Sequence, residues 1–518
     1  MQSFHLLWAD DEIELLKPHI LFLESKGYKL TTVNNGMDAI DQIKEQHFDL
    51  VFLDENMPGI SGLDALKEIK ELDKDLPVIM ITKSEEEHIM EDAIGSKIAD
   101  YLIKPVNPNQ ILLSIKRQLD NKRLVTQSVA SRYQQEFRNI MMALMDHQDF
   151  DGWKKMYKKL VFYELEIQES NETGMEEVLE TQKLEMNREF SKYVQSNYVD
   201  FIQYDNNEAP VMSHTLMRKE VVPQVSDDQP VFFVLIDNLR YDQWKFIQPI
   251  ISTMFRVERE DLYLTNLPTT TQYCRNSIFA GLLPADIEKR FPNKWSNDED
   301  EGGKNLYEEE FLNDLLKRLR RDDIKTSYTK VVHLNQGKDL IDDVPNLFDN
   351  DLNVIVYNFV DSLSHARTDN KVMRELAENE AAYRSLTKSW FEHSPLYETL
   401  KRISERKAKV IISTDHGSVK VTDPVKVVGD KKTTTNLRYK TGRNLSFNEK
   451  EVFHIKDPQK AGLPVQHLSS NYIFCRNSDF FVYPNNLNHY AKYYKDTIQH
   501  GGISLEEMVV PLIHLASR

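Results

Sequence analysis

The chain has 518 residues, of which 40% are hydrophobic and 28% charged, and it carries a formal net charge of −17. This length predicts about three folded domains, and the acidic balance argues against a protein that coats DNA, because affinity for the phosphate backbone depends mainly on Lys and Arg. Two cysteines exclude a disulfide framework and a cysteine-ligated metal site. We find no membrane-spanning apolar run and no leader-like N-terminus, so we expect a cytoplasmic protein.

The first 120 residues alternate short apolar strands with amphipathic helices. The predicted strands are FHLLWAD, KLTTV, LVFLD, PVIMIT and ADYLI, with helices such as DAIDQIKEQ and GLDALKEIKELD between them. Strands that alternate with helices predict an α/β fold with a doubly wound parallel sheet. Ligands of such sheets bind beyond the carboxyl ends of the strands.

Polar side chains stand at those strand ends. They are Asp10, Asp11, Asp54, Thr82 and Lys104. Three carboxylates suit a hard divalent ion such as Mg²⁺. The ion and Lys104 would neutralise the charge of an incoming phosphoryl group, so that Asp54 can attack it. The sequence therefore predicts a phosphate-accepting site with bound magnesium.

This pattern resembles the flavodoxin-like receiver domain of two-component response regulators. The resemblance covers residues 1–120 and implies that Asp54 is the phosphoacceptor and that Asp10 and Asp11 help it to hold Mg²⁺. It also implies that Thr82 and Tyr101 form a switch pair and that a sensor histidine kinase is the partner. Lys83 departs from the family, which usually has a small residue there, and such a long cation is expected to change the lifetime of the phosphorylated state.

Residues 121–205 show apolar residues at helical spacing and no convincing strand. We interpret them as a linker bundle of several helices. A single long coiled coil is the weaker interpretation, because Gly152 and Gly174, with the polar residues around them, interrupt the pattern.

Residues 206–518 return to an α/β pattern, with predicted strands VFFVLID, NVIVYNFVD, KVIIST and NYIFCR. Potential metal ligands and one hydroxyl lie near these strands. They are Asp237, Thr271, Asp361, His365, Asp415, His416 and His500. Oxygen and nitrogen ligands without thiolates suit zinc, and also manganese or iron. Two metals about 4 Å apart can activate a hydroxyl and stabilise both oxygens of a displacement at phosphorus.

The segment PTTTQYCRNSIFAGLLP, together with this order of ligands, resembles the alkaline phosphatase superfamily over residues 228–518. The resemblance is to its nucleotide pyrophosphatase/phosphodiesterase members and to the PglZ-type domain. It implies a nucleophile at Thr271 rather than Thr270. It implies that one zinc ion is held by Asp237, Thr271, Asp415 and His416, and the other by Asp361, His365 and His500. The phosphodiesterase members have an asparagine near the threonine that binds a phosphoryl oxygen. Arg275 and Asn276 are the nearby candidates for this role here, although their positions in the sequence are shifted.

The stretch after Asp415, His416 and Gly417 is rich in basic residues and could contact a nucleic-acid substrate or form a solvated loop. Its cations are Lys420, Lys426, Lys431, Lys432, Arg438, Lys440 and Arg443. Tyr273 and Trp295 are candidates for stacking a base, with core packing as the alternative.

The whole architecture resembles response regulators of the Bacteroidetes type IX secretion system. That resemblance implies a sensor kinase of the PorY type, a homodimer formed on phosphorylation, an extracytoplasmic-function sigma factor as partner, and phosphodiesterase activity on cyclic and linear oligonucleotides. The alternatives are a non-catalytic, metal-bound docking platform and a phosphomonoesterase. We find no helix-turn-helix pattern after the receiver, so direct sequence-specific DNA binding is not expected.

Overall fold

The computed structural model describes residues 4–83, 98–170, 173–203, 209–226, 228–429, 433–465 and 470–518. The chain forms two compact units. The first comprises Met1–Gln134 with Glu169–Glu172, and the second comprises Gln135–Gln168 with Thr173–Arg518.

The first unit contains a parallel five-stranded sheet in the order β2-β1-β3-β4-β5. Its strands are β1 (His5–Ala9), β2 (Lys29–Val33), β3 (Leu50–Asp54), β4 (Val78–Thr82) and β5 (Asp100–Ile103). Its first helices are α1 (Lys17–Ser25), α2 (Gly36–Glu45) and α3 (Gly62–Leu72), with a 3₁₀ turn at Ile13–Leu16. All five predicted strands are present, and the predicted α/β class is confirmed.

Alternating residues of the central strands bury both faces of this sheet. Leu7 and Leu53 pack into one cluster, whereas Trp8 and Phe52 pack into the cluster on the other face. Burial on both faces is the reason that these strands have almost continuous apolar sequences. The polar residues that follow the strands are thereby held at one edge of the sheet.

Three long helices follow along the chain. They are α4 (Pro108–Ala143), α5 (Phe150–Ser170) and α6 (Thr173–Gln203). Gly152 and Gly174 lie in the first turns of α5 and α6, so the helical segments are separated close to these glycines, as expected, and the break before α5 falls at residues 144–149. The boundary predicted at residues 120/121 falls inside α4, and the division into three domains stays a prediction.

The second unit is built on a six-stranded mixed sheet in the order β7-β18-β10-β6-β9-β8. These strands are β6 (Val231–Ile236), β7 (Phe255–Leu264), β8 (Thr326–Val331), β9 (Leu352–Tyr357), β10 (Lys409–Ser413) and β18 (Val509–Ser517). β10, β6, β9 and β8 run parallel, and β18 is antiparallel to both β10 and β7. The carboxyl ends of β10, β6 and β9 are therefore neighbours.

Helices and small sheets surround the large sheet. The helices are α7 (Ser213–Leu216), α8 (Tyr241–Met254), α9 (Thr271–Ala280), α10 (Pro284–Arg290), α11 (Glu308–Arg318), α12 (Leu334–Leu347), α13 (Phe359–Asp369), α14 (Lys371–Leu376), α15 (Glu380–His393), α16 (Pro395–Ser404), α17 (Leu487–Tyr494) and α18 (Leu505–Met508). The small sheets contain β11 (Val419–Lys420), β12 (Asp423–Lys426), β13 (Tyr439–Gly442), β14 (Phe453–Ile455), β15 (Asn471–Phe474), β16 (Asp479–Val482) and β17 (Ile498–Gln499). A π-helical turn at Met217–Val221 and a 3₁₀ turn at Val222–Gln224 precede β6.

One expected strand is shorter than its sequence suggests. NVIVYNFVD was predicted as a strand that ends at Asp361, but β9 ends at Tyr357 and Asp361 lies in the first turn of α13. Among the described residues, no helix combines the length and the apolar character needed to cross a membrane.

Candidate phosphoacceptor site and candidate metal centre

The carboxyl edge of the first sheet brings two buried aspartates to one lysine. Lys104 Nζ lies 2.8 Å from Asp10 Oδ2 and 3.1 Å from Asp54 Oδ1. Burial raises the pKa of Asp54 to about 6, against the opposing effect of Lys104. The site therefore holds more negative charge than Lys104 fully balances, which suits a divalent cation.

The remaining residues predicted for this site lie around it. Thr82 is fully buried at the end of β4, and its side chain is a hydrogen-bond partner of Tyr101. Burial raises the pKa of the Tyr101 hydroxyl. These two residues thus touch each other, as a switch pair would, while that role stays a prediction.

Glu12 is an acidic neighbour that the sequence analysis did not select. Oxygen atoms of Asp10, Asp11 and Glu12 lie within 4.8 Å of one another. Glu12 also pairs with Lys83, whose Nζ is 2.8 Å from Glu12 Oε2. The run Asp-Asp-Glu was the available signal. Lys83 is exposed in this pair. Its expected effect on the lifetime of the phosphorylated state stays a prediction.

The large sheet gathers a second acidic group at the ends of β6 and β10. Asp237 directly follows β6. After β10 comes Thr414, and Asp415 and His416 come next in the chain. One ligand atom from each of the three lies within 4.8 Å of the others, and all three residues are buried. His416 Nδ1 is 3.0 Å from the Gly417 carbonyl oxygen, leaving Nε2 to face Asp237.

A third group shares His416 with the second. Ligand atoms of Asp361, His416 and His500 lie within 4.8 Å of one another. The His416 and His500 rings stack with centroids 4.3 Å apart. His365, one turn after Asp361 on α13, places Nε2 3.4 Å from Asp361 Oδ2, although its side chain is largely exposed. All six predicted protein ligands other than Thr271 therefore meet at one place.

Thr271 is the first residue of α9 and points its hydroxyl into this place. Its Oγ1 is 3.1 Å from His416 Nε2 and 3.4 Å from Asp237 Oδ1. Thr270, the alternative nucleophile, is buried with its hydroxyl directed to no hydrogen-bond partner among the described residues. Because α9 begins at Thr271, the positive end of its helix dipole faces the same space and favours an anion.

The substrate-binding role expected for Arg275 and Asn276 needs correction. Arg275 is fully buried, and its guanidinium pairs with Asp237 and, at 2.9 Å from Nε, with Asp415 Oδ2. Asn276 donates to the Lys304 carbonyl oxygen at 3.1 Å and accepts from Asn305. Their polar groups are engaged by the protein, so Arg275 holds the ligands in place rather than offering itself to a substrate.

Asn238 is a further residue of the site that the sequence analysis missed. It adopts a left-handed backbone conformation with φ of 63°, which asparagine tolerates better than most residues. Its Nδ2 donates to Asp361 Oδ1 at 3.3 Å, and its backbone N–H to Asp415 Oδ1 at 3.4 Å. Asn238 therefore links the two groups of ligands, and its position directly after Asp237 was the only signal.

The charges of the centre fit metal ions. Burial, together with the charges of Asp415 and Asp361, raises the pKa of Asp237 well above its usual range, although Arg275 opposes this. Burial and the neighbouring His416 lower the pKa of His500 to about 3, so its imidazole is neutral, as a metal ligand must be. For Asp361, burial is outweighed chiefly by the hydrogen bond from His365, which holds the pKa of Asp361 below its usual range. Asp237 and Asp415 share the single guanidinium of Arg275, and bound cations would relieve the repulsion between the neighbouring carboxylates.

The basic stretch is only partly available to a ligand. Arg438 is fully buried and paired with Glu507, and Lys440 is buried with Nζ 2.8 Å from the Thr434 carbonyl oxygen. These two cations belong to the interior, so their predicted contact with nucleic acid is wrong. Lys431 and Lys432 lie outside the described residues.

The two aromatic residues considered for base stacking are also in the interior. Tyr273 and Trp295 are buried and pack edge to face with ring centroids 5.6 Å apart. The Tyr273 hydroxyl bonds to Asp298. Core packing, the alternative stated above, is the arrangement observed.

A phosphoacceptor-type edge on one sheet and a buried cluster of aspartates and histidines on another define a receiver joined to a metal-dependent hydrolase. Family models agree. Residues 216–515, more than half of the chain, match the BREX system PglZ alkaline phosphatase-like domain. Residues 6–116 match the response regulator receiver domain, and residues 123–202 match the PorX response regulator linker domain. The chain belongs to the family of proteins with a PglZ alkaline phosphatase-like domain, and its receiver implies a sensor kinase as phosphoryl donor.

Individual relatives match about a quarter of the chain or less. The transcriptional regulatory protein ZraR of Klebsiella oxytoca is 32% identical over 136 residues, covering 26% of this chain and 31% of the relative. The response regulator SaeR of Staphylococcus aureus is 35% identical over 111 residues, covering 21% of this chain and 48% of the relative. The chain thus spans a third to a half of the length of these relatives. A CheY-like receiver structure from Methanospirillum hungatei is 25% identical, covers 23% of this chain and 96% of its own, and has a TM-score of 0.23.

Proposed function

We propose that this protein is a response regulator that is phosphorylated on Asp54 and whose effector domain is a zinc-dependent phosphodiesterase acting on cyclic and linear oligonucleotides. The observation that carries the proposal is the position of Thr271. Its hydroxyl lies within 3.5 Å of both Asp237 and His416, at the start of a helix. A hydroxyl held between candidate metal ligands is suited to attack phosphorus.

Two zinc ions fit the donor set of carboxylates and imidazoles. Asp237, Asp415 and His416, with Thr271, would hold one ion, and Asp361, His365 and His500 would hold the other. When bound, such ions lower the pKa of a coordinated hydroxyl and stabilise charge on the phosphoryl oxygens. Arg275 and Asn238 hold the carboxylates in position through their bonds to Asp415 and Asp361.

The proposed reaction has two displacements at phosphorus. Thr271 Oγ1 forms a bond to phosphorus while the opposite ester bond breaks, its hydroxyl proton is released to solvent, and the departing alkoxide takes up a proton. Water then attacks the nucleotidyl-threonine, which restores the Thr271 hydroxyl and releases a phosphomonoester. The N-terminus of α9 favours the anionic phosphoryl group in both steps.

The receiver would regulate this chemistry or the assembly of the protein. We propose that phosphorylated Asp54 promotes a homodimer, and that the sensor kinase is of the PorY type. The match of residues 123–202 to a PorX linker supports a role with an extracytoplasmic-function sigma factor in regulating type IX secretion genes. Each of these roles follows from the resemblance and not from the geometry of the site.

The proposal is tested by hydrolysis of a panel of phosphodiesters by the zinc-loaded protein. The panel contains a nitrophenyl diester, cyclic dinucleotides and short oligonucleotides, each with and without a small phosphoryl donor. We expect cleavage by the parent protein and none by Thr271→Ala, while Thr270→Ala remains active. A donor effect that Asp54→Asn removes would tie the activity to the receiver.

The competing function is a metal-bound docking platform for a protein partner. It differs from the proposal in tolerating Thr271→Ala, because a platform needs the fold and the metal but not the nucleophile. Zinc binding without cleavage of any substrate, in the presence and absence of the donor, would refute the phosphodiesterase and favour the platform.

A further inference from the structure

Helix α6 buries a row of polar side chains at helical spacing. Lys183, Asn187 and Tyr198 lie on this row, and the side chains of Asn187 and Tyr198 are almost inaccessible to solvent. Buried polar groups cost free energy unless they are bonded. Their partners are the loops that carry the candidate metal centre, and they connect this helix to the site in three places.

Tyr198 contacts the loop that carries the nucleophile. The Leu267 backbone N–H donates to the Tyr198 hydroxyl oxygen at 2.8 Å. Leu267 stands four residues before Thr271. This bond therefore fixes the entry of the chain into α9 and, through it, the direction of the Thr271 hydroxyl.

Asn187 contacts the short helix α18 behind the two histidines. Its Oδ1 accepts from the Leu505 N–H at 2.7 Å, and its Nδ2 donates to Glu506 Oε2 at 3.0 Å. The next residue, Glu507, accepts from Gly417 N through its carbonyl oxygen at 3.0 Å and from Gly502 N through Oε1 at 2.9 Å.

Those two glycines follow His416 and His500 closely in the chain. A Cβ atom added to Gly417 would lie 1.9 Å from the Glu506 carbonyl oxygen, so the approach of α18 to the His416 loop leaves no slack. Asn187 thus supports both histidines through α18.

Lys183 contacts the third loop through a chain of charges. Its Nζ is 2.8 Å from Glu380 Oε2 and 3.4 Å from Glu506 Oε1. Glu380 Oε1 is in turn 3.3 Å from Arg240 Nη1, three residues after Asp237. A cavity of about 370 Å³ borders Lys183, Asn187 and Glu380, which gives the side chains of this region room to rearrange.

We propose that Lys183, Asn187 and Tyr198 are positioning residues of the candidate metal centre, so that helix α6 sets the geometry of the nucleophile loop, the histidine loop and the Asp237 loop together. A displacement of α6 then alters all three loops at once. Because residues 123–202 match a response regulator linker, α6 is the element through which a change in the linker reaches the chemistry. The catalytic part of this inference depends on the proposed function.

The test uses two substitutions, each with a matched control on the same helix in the full-length protein. Tyr198→Phe removes one hydroxyl, and Tyr193→Phe removes the same group from a ring that packs against Trp153 and Phe190. Asn187→Leu removes the bonds to α18, and Asn197→Leu removes a bond to the Tyr193 carbonyl oxygen within α6.

Three measurements separate positioning from simple stability. Amide hydrogen exchange of the metal-free protein reports on residues 267–271 and 500–507, competition with a chromophoric chelator gives zinc affinity, and a nitrophenyl diester gives kcat and KM. We expect faster exchange of Leu267 in Tyr198→Phe and a fall in kcat of about fivefold at unchanged KM. We expect Asn187→Leu to speed exchange of Leu505 and to weaken zinc binding by about tenfold or more, as loss of a supporting bond behind a ligand does.

The inference is overturned if exchange, zinc affinity and kcat in both variants equal those of their controls and only the thermal midpoint falls. Absence of diesterase activity in the parent protein would instead refute the proposed function. In that case exchange and zinc affinity still decide whether α6 positions the loops.

Discussion

In each of the two charged centres of this chain, one cationic side chain bridges two aspartates. The centres differ in whether that cation is a lysine or an arginine. In the receiver, Lys104 bridges Asp10 and Asp54 from a side chain that is not fully buried. In the effector, the buried guanidinium of Arg275 bridges Asp237 and Asp415. A lysine ammonium is a mobile point charge, whereas a guanidinium is a rigid planar fork. The first arrangement suits a site whose bound group comes and goes, and the second suits a site that keeps one geometry through many turnovers.

The largest expected effect separates the two nucleophiles. Thr271→Ala should lower kcat/KM for phosphodiesters by at least about 1,000-fold, because loss of the attacking atom removes most of the catalysis. Asp54→Asn should abolish phosphorylation by a small phosphoryl donor while leaving basal hydrolysis intact. Steady-state kinetics and phosphate-affinity electrophoresis check the two outcomes, and a loss of basal hydrolysis in Asp54→Asn would break the separation.

The second effect concerns the bridging cations themselves. Arg275→Met should destabilise the effector by about 3–5 kcal/mol, since it leaves buried carboxylates uncompensated. Lys104→Met should cost less, because Asp54, with a pKa near 6, takes up a proton readily. Urea unfolding of the full chain, with hydrogen exchange of β3 and β6 as local probes, measures both.

Equal losses for Arg275→Met and Lys104→Met would contradict the distinction between a fixed and a mobile bridge. Arg290→Met is the control, since Arg290 pairs with Asp314 on the surface and a pair of that kind contributes at most about 1 kcal/mol.

The third effect depends on pH and concerns Lys440, a buried lysine whose Nζ donates to the Thr434 carbonyl oxygen. Burial lowers the pKa of Lys440 from 10.5 to about 8. Between these two values the unfolded chain binds a proton that the folded chain does not, so stability rises with pH across that window. Relative to Lys440→Met, the parent should gain up to about 3 kcal/mol between pH 8 and 10.5.

Urea unfolding at several pH values measures this gain. Lys420→Met is the control, because Lys420 is partly exposed and pairs with Asp496. A flat difference between the parent and Lys440→Met over the window would show that Lys440 keeps an ordinary pKa. Lys104 provides the contrast, since its acidic neighbours raise its pKa despite burial.

The smallest effect is expected at Lys83. Its exposed pair with Glu12 is worth little, so Lys83→Ala should change the lifetime of phosphorylated Asp54 by less than about fivefold. The decay of the phosphorylated form, followed over time by phosphate-affinity electrophoresis, measures the lifetime. A much larger change would mean that Lys83 leaves Glu12 and reaches the phosphoryl group.

Features set by local pattern were predictable from the sequence. Four of the five receiver strands end in or are followed by the polar residues of the phosphoacceptor site, and all five strands form, with those residues at one edge. Asp237, Asp415 and His416 were expected near strand ends for the same reason, and they lie there. The helix after β9 was not expected, because the apolar residues of YNFVD fit a buried strand and a buried first turn of helix equally well.

Features set by distant partners were not predictable. Arg275 was predicted to bind the substrate phosphate. Its burial could not be foreseen, because it depends on Asp415, which is 140 residues away in the chain. Arg438 looked like part of a solvated basic loop, although Glu507 pairs with it from 69 residues away. A cation's sequence neighbourhood does not reveal whether an acid from elsewhere in the chain will accompany it into the interior.

The place of β18 in the large sheet has a consequence for synthesis. This strand lies between β7 and β10, yet ribosomes make it more than two hundred residues after β7. Until then β7 has no neighbour on that side, and its backbone groups form an open edge of the kind that invites pairing with other chains. The receiver sheet, in contrast, is complete within the first 103 residues and can fold while the rest is translated. In newly made chains, the receiver sheet should therefore be folded long before the large sheet of the effector is complete.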